Sequence, residues 1–112
     1  FNGKIYVRQK AQKTNAFQSN NNILLSDNAK VYTKPQLEIW ADDVKCSHGC
    51  TVGQLDNDAL FYLMSRGIPK NKAISLLLLA FSNEIFSKIN DENLKIKFER
   101  IVMKELEKFN DE

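Results

Sequence analysis

Gln36-Leu37-Glu38-Ile39-Trp40-Ala41 and Asp56-Asn57-Asp58-Ala59-Leu60-Phe61-Tyr62-Leu63-Met64 together decide the fold, because the apolar spacing changes between them. In the first stretch Leu37, Ile39 and Ala41 alternate with Glu38 and Trp40, the mark of a half-buried strand. In the second, Asp56 stands where a helix N-cap belongs, with an acid in the first turn. Gly67 ends that helix, and Pro69 follows within two residues as a restart. The switch from strand to helix spacing falls at Asp56.

Before that switch lie further short runs of β-type residues: Lys4-Ile5-Tyr6-Val7, Ile23-Leu24-Leu25, Lys30-Val31-Tyr32-Thr33 and Val44-Lys45-Cys46-Ser47-His48. Each holds β-branched or aromatic residues between Asn, Asp, Gly, Ser or Pro. The expectation is strands of three to five residues, with turns at Ser19-Asn20-Asn21-Asn22 and Ser26-Asp27-Asn28. Asparagines there would adopt left-handed geometry or bond their own backbone. Strands without intervening helices fit a parallel β-helix or a small sandwich. The similar steps from Ile5 to Ile23 and from Ile23 to Ile39 would suit the turns of such a helix.

After the switch, Ile74, Leu77, Leu78, Phe81, Ile85 and Ile89 form a helical stripe, and Leu76, Leu79 and Phe86 widen it. A helix apolar on more than one side is sandwiched in a core or covered by a partner. Asn90 or Asp91 caps a third helix, with Leu94, Phe98, Ile101, Val102, Leu106 and Phe109 expected on one face. Lys95, Lys97, Glu99, Arg100, Lys104, Glu105 and Lys108 are expected on a solvated one. Phe61, Leu63 and Met64 are expected in the core.

The 112 residues are enough for one small domain with its own core. Apolar residues at 43% and charged residues at 27% exclude a disordered chain. The net charge of +2 gives no reason to expect nucleic acid or an anionic membrane as partner. No apolar run is long enough to span a membrane. The opening Phe1-Asn2-Gly3-Lys4 shows neither an initiator Met nor a signal peptide, so the chain reads as a fragment of a longer protein.

Chemistry concentrates in Val44-Lys45-Cys46-Ser47-His48-Gly49-Cys50. On an extended strand Cys46, His48 and Cys50 share one face, and thiolate and imidazole are ligands for zinc, iron or an iron–sulfur cluster. The chain holds no other Cys or His. Completing a site would need a partner, another part of the protein, or carboxylates such as Asp42 and Asp43. The plain reading is a buried cysteine and a hydrogen-bonded histidine. A Cys–His catalytic pair is disfavoured because nothing evident orients His48. Asp42-Asp43 reads as a turn, since adjacent strand residues face opposite sides. The four glycines are too scattered for a phosphate loop, and no nucleophile elbow or H-E-x-x-H helix is present. An independent enzyme is not expected.

Four separated blocks carry a further signal. Ala11-Gln12-Lys13-Thr14-Asn15-Ala16-Phe17-Gln18-Ser19-Asn20, the run from Thr33 to Gly49, Thr51-Val52-Gly53-Gln54-Leu55-Asp56 and the run from Leu60 to Ile68 resemble the SufB/SufD family of iron–sulfur cluster assembly proteins. They stand in the family order over roughly residues 1–87. The block Ala41-Asp42-Asp43-Val44-Lys45-Cys46-Ser47-His48-Gly49 is similar to the SufD branch. The resemblance implies a mainly β plus α chain. Residues 1–55 would be the end of a right-handed parallel β-helix, and 56–112 a small three-helix C-terminal domain.

It also implies a non-catalytic scaffold subunit, cytoplasmic or in the plastid stroma, that pairs with a SufB-like subunit through its β-helix. A homodimer would be the substitute for the fragment alone. The helical domain would dock a SufC-like ATPase, with Tyr62, Arg66, Leu76 and Leu79 as the expected contacts. His48 matches the family's interface histidine and Cys46 its neighbouring cysteine. Cys50 departs from the pattern, where a small residue such as Ala is usual, and takes no role from it. No cofactor or metal is expected on the fragment, only a transient iron–sulfur cluster in the full complex. Two other readings stand beside this one: a self-contained metal module of Cys46, His48 and Cys50, and a purely structural docking module.

Overall fold

A computed structural model describes residues 1–107. The expectations for Lys108 and Phe109 lie outside the described residues. The chain divides into two compact units, Phe1–Gln54 and Leu55–Glu112.

The first unit holds four strands: β1 (Asn2–Val7), β2 (Asn15–Ile23), β3 (Lys34–Ile39) and β4 (Lys45–Gly53). β1 pairs in parallel with β3, and β2 in parallel with β4, giving two two-stranded sheets. Asn2 pairs with Lys34 and Asn15 with Lys45, so each strand stacks on the next but one along the chain. One repeat therefore contains two strands. The steps from Ile5 to Ile23 and from Ile23 to Ile39 each cover only about half of it.

The strands are six or nine residues long, not three to five. Residues 19–22 are strand and not turn. Their asparagines are held by side-chain bonds along the ladder: Asn22 Nδ2 donates to Asn20 Oδ1 (2.8 Å) and to the Thr51 carbonyl (3.1 Å). Among the described residues no asparagine takes a left-handed backbone; outside glycine that conformation falls on Lys13 (φ 63°). Residues 30–33 and Leu24-Leu25 lie in the crossover from β2 to β3, outside the strands. Ser26-Asp27-Asn28 does form a turn, with the Asn28 N–H donating to Ser26 Oγ (3.2 Å).

Two corners stack on each other where the chain turns from β1 to β2 and from β3 to β4. The Lys13 N–H donates to the Asp43 carbonyl (2.6 Å), and the Asp43 N–H to Gln12 Oε1 (3.0 Å). Gln9 Nε2 reaches Asp42 Oδ2 at 3.4 Å. Asp42-Asp43 is thus part of a turn, and its polar groups are engaged structurally. The corner is sealed below by Val7 and Ala41, 3% and 6% exposed.

The second unit holds α1 (Asn57–Ser65), α2 (Lys70–Phe86) and α3 (Glu92–Glu107). Asp56 accepts from the N–H groups of Asp58 (2.9 Å) and Ala59 (3.1 Å), satisfying two donors that helix geometry leaves free. Gly67 sits at φ 85°. Its N–H donates to the Met64 carbonyl (2.9 Å) and that of Ile68 to Leu63 (3.2 Å), a Schellman closure that favours glycine. Asp91, not Asn90, caps α3, its Oδ1 accepting from the Leu94 N–H at 3.0 Å.

α2 packs against both α1 and α3, which accounts for its broad apolar surface. Ala73, Leu78 and Phe86 are buried in it, and Phe86 stacks on Phe98 of α3 (6.2 Å between ring centres, 12° apart). Ile85 remains exposed despite its place in the expected stripe. The inner side of α3 runs through Lys95, Glu99, Val102 and Leu106, and Phe98 stays partly exposed beside Phe86. Leu94 and Ile101, at about 100° per residue from that line, are exposed at its margin. Lys95 and Glu99 are half-buried, contrary to expectation; long side chains cover apolar neighbours with their stems. Among the described residues no helix is long and apolar enough to cross a membrane.

Candidate functional site

β4 carries every thiol and imidazole of the chain. Its sequence, KCSHGCTVG, has little intrinsic strand preference, and neither has its partner NAFQSNNNI. The parallel ladder and its side-chain bonds hold the two together. Alternation places Cys46, His48, Cys50 and Val52 on one face, in register with Ala16, Gln18, Asn20 and Asn22 of β2. On β2 this even-numbered side is half-buried, whereas on β4 only Cys46 of it is.

The three reactive residues lie in different surroundings. Cys46 is half-buried beside small Ala16. Cys50 Sγ lies 2.9 Å from Thr33 Oγ1 and donates to Asn20 Oδ1 at 3.7 Å. His48 is exposed, and its imidazole makes no hydrogen bond among the described residues. The plain expectation of a hydrogen-bonded histidine is therefore not met. Both cysteines are free.

Cys46, His48 and Cys50 do not form a local metal site. Among the described residues no group of three or more His, Cys, Asp or Glu is arranged to hold a metal ion. The reason is strand geometry: a step of ~3.3 Å per residue sets Cys46 and Cys50 roughly 13 Å apart along the strand. Two sulfurs that share a zinc each need a bond of about 2.3 Å to it. The Asp42 carboxylate accepts from Gln9 in the corner and Asp43 is held there through its backbone; neither joins the three in a metal-binding group. The three side chains therefore do not converge on one point along the strand.

In the helical unit Tyr62 and Arg66 are exposed neighbours, the guanidinium lying 5.2 Å from the centre of the Tyr62 ring. Leu76 is exposed and Leu79 half-buried. Phe61 (74% exposed) and Met64 (42%) are not core residues. The half-buried side of α1 is Ala59, Leu60 and Leu63, and Phe61 falls nearly opposite on so short a helix.

Ionisation is perturbed on the outer face of β1/β3. A hydrogen bond from Lys4 Nζ (2.7 Å) holds the Glu38 carboxyl below its ordinary range, and that same bond raises Lys4.

Gln18 and Thr33 escaped sequence reasoning. Gln18 Oε1 is buried with no hydrogen-bond partner among the described residues. The signal that would have found Gln18 is the long-range register of β2 on β4, which sets Gln18 beside His48; Thr33 lies in the crossover, outside that register.

Parallel two-strand rungs with stacked corners, followed by three helices, define the class. Residues 1–81 match the family model described as the SUF system FeS cluster assembly SufBD core domain, and the chain belongs to that family. It is 53% identical over 95 residues to the iron–sulfur cluster assembly protein SufD of Escherichia coli K12, covering 85% of this chain and 22% of that protein. It is 53% identical over 89 residues to the iron–sulfur cluster assembly SufBD family protein slr0076 of Synechocystis, covering 80% and 20%. Against the chloroplastic protein ABCI7 of Arabidopsis thaliana the identity is 41% over 95 residues, covering 85% and 20%. The chain spans about a fifth of the length of these relatives.

Proposed function

We propose that the chain is a SufD-type scaffold segment for iron–sulfur cluster assembly, without catalytic chemistry of its own. The observation that carries this reading is His48. It is an exposed imidazole without a partner among the described residues, on a strand whose cysteines do not join it in a local site. Neutral imidazole can ligate iron, and the protonated form can hold a thiolate or sulfide by a charge-assisted hydrogen bond. Either role needs sulfur from outside the chain, and a second subunit supplies it at an interface.

The parallel rungs are read as the end of a right-handed β-helix whose strand edges pair with a SufB-like subunit. A second copy of the chain is the substitute when that subunit is missing. Residues 56–112 are read as the C-terminal domain that docks a SufC-like ATPase. Tyr62 and Arg66 supply a charged aromatic patch there, with Leu76 and Leu79 adding apolar area. The cluster is cargo, present transiently in the complex. The names of the bacterial and chloroplastic relatives support a cytoplasmic or plastid setting.

Co-purification tests the assembly part. The intact protein expressed with SufB-like and SufC-like partners is expected to bring both down. Arg66→Glu is expected to weaken capture of the ATPase while leaving the circular dichroism spectrum unchanged. Undiminished capture would place the docking surface elsewhere.

A further inference from the structure

Gln18 and His48 are direct partners in the β2/β4 ladder. Strands in a ladder lie ~4.8 Å apart, and paired residues of a parallel ladder leave the sheet on the same face. Nearby pairs show that such neighbours touch. Cys50 Sγ reaches Asn20 Oδ1 (3.7 Å) on the same face, and Thr51 Oγ1 donates to Asn21 Oδ1 (3.1 Å) on the other.

The Gln18 amide is seated in a niche. A Cβ on Gly3 would collide with Gln18 Nε2 and would come within 2.7 Å of the Phe1 ring. Only a residue without a side chain leaves the amide this room. Inside the niche Oε1 is buried and unpartnered, whereas buried carbonyl oxygens almost always accept a hydrogen bond. One ladder step away, both His48 ring nitrogens are also without partners among the described residues. An unsatisfied acceptor and an unsatisfied donor thus share a face and a rung.

We propose that Gln18 is a positioning residue for His48, its Oε1 accepting a hydrogen bond from one imidazole N–H. That bond selects one neutral tautomer, because the nitrogen that donates must carry the proton. The other nitrogen then presents its lone pair away from the amide, free to meet the nascent cluster. Gly3 acts one step further back by leaving space for the amide. The proposed contact deepens the reading of His48 given above and rests on it for its functional meaning. Its own ground is the Gln18–His48 register and the unpartnered Oε1; the two side chains are not bonded to each other in this structure.

The test uses nitrogen-15 spectra of the imidazole in the intact protein, with the His48 signal assigned by its loss in His48→Asn. Wild type is expected to show one dominant neutral tautomer. Gln18→Met keeps the volume but removes the acceptor, and is expected to give a mixture of both. Gly3→Ala, which displaces the amide without altering it, is expected to do the same. Gln18→Glu retains an acceptor oxygen and is expected to keep one tautomer. Cluster content of the complex is expected to fall roughly 10-fold with Gln18→Met, as for other groups that orient a metal-binding histidine. An unchanged tautomer in both Gln18→Met and Gly3→Ala would overturn the proposal. A changed tautomer with normal cluster content in His48→Ala would leave the contact standing and refute the functional reading.

Discussion

The two parallel sheets of the first unit are built alike and filled differently. The inward face of β1/β3 carries Gly3, Ile5 and Val7 against Pro35, Leu37 and Ile39. The matching face of β2/β4 carries half-buried Ala16, Gln18, Asn20 and Asn22 against Cys46 and the exposed His48, Cys50 and Val52. One is stabilised by removing apolar surface from water. The other depends on hydrogen bonds between side chains, and it contains an acceptor left unsatisfied at Gln18. Buried polar groups that are only partly satisfied reduce stability, and such departures concentrate where function requires them. The first sheet thus supplies the apolar part of the unit's core, and the second carries its thiols and imidazole.

Substitutions should separate the two. Val7→Ala empties a site that is 3% exposed and is expected to cost about 1–3 kcal/mol in urea unfolding. Asn20→Ala removes the acceptor shared by Asn22 and Cys50 and is expected to cost ~1 kcal/mol. Cys50→Ala gives up two weak thiol hydrogen bonds, to Thr33 and Asn20. It should change stability by less than about 1 kcal/mol and leave cluster content normal. Should Cys50→Ala prove the most damaging of the three, the division of labour between the sheets would collapse.

The smallest effect belongs to the exposed Lys4–Glu38 pair on the outside of β1/β3. Glu38 is depressed, so its contribution is present above the ordinary carboxyl value of 4.5 and is lost as pH falls through the folded value. Lys4 is raised, so its contribution is present below 10.5 and is lost as pH rises through its folded value. The stability difference between wild type and Glu38→Gln should be flat near neutrality, shrink at both extremes and weaken in high salt. A difference that grows on acidification would assign the pair the wrong sign.

How far the sequence revealed these regions follows the same division. Leu37-Glu38-Ile39 reads directly as strand because its alternation is apolar. Asp56 and Gly67 read directly as helix ends because capping is local. β2 was hidden because Asn20-Asn21-Asn22 has the local chemistry of a turn, and only stacking on Thr51 and Cys50 makes it a strand. Val31 and Tyr32 misled in the opposite sense, being strand formers placed in a crossover. Phe61 and Met64 looked like core because α1 is apolar on most sides, yet the half-buried residues of that helix lie along one side. At the site, Cys46 and His48 were visible as residue types. Gln18 was not, because its relation to His48 exists only through the pairing of two strands distant in sequence.

Cluster content of the purified complex carrying His48→Ala is the decisive quantity. The variant is expected to fold, to assemble with its partners at normal stoichiometry and to retain roughly a tenth or less of the wild-type cluster. A fully assembled complex with normal cluster content would refute the role assigned to His48.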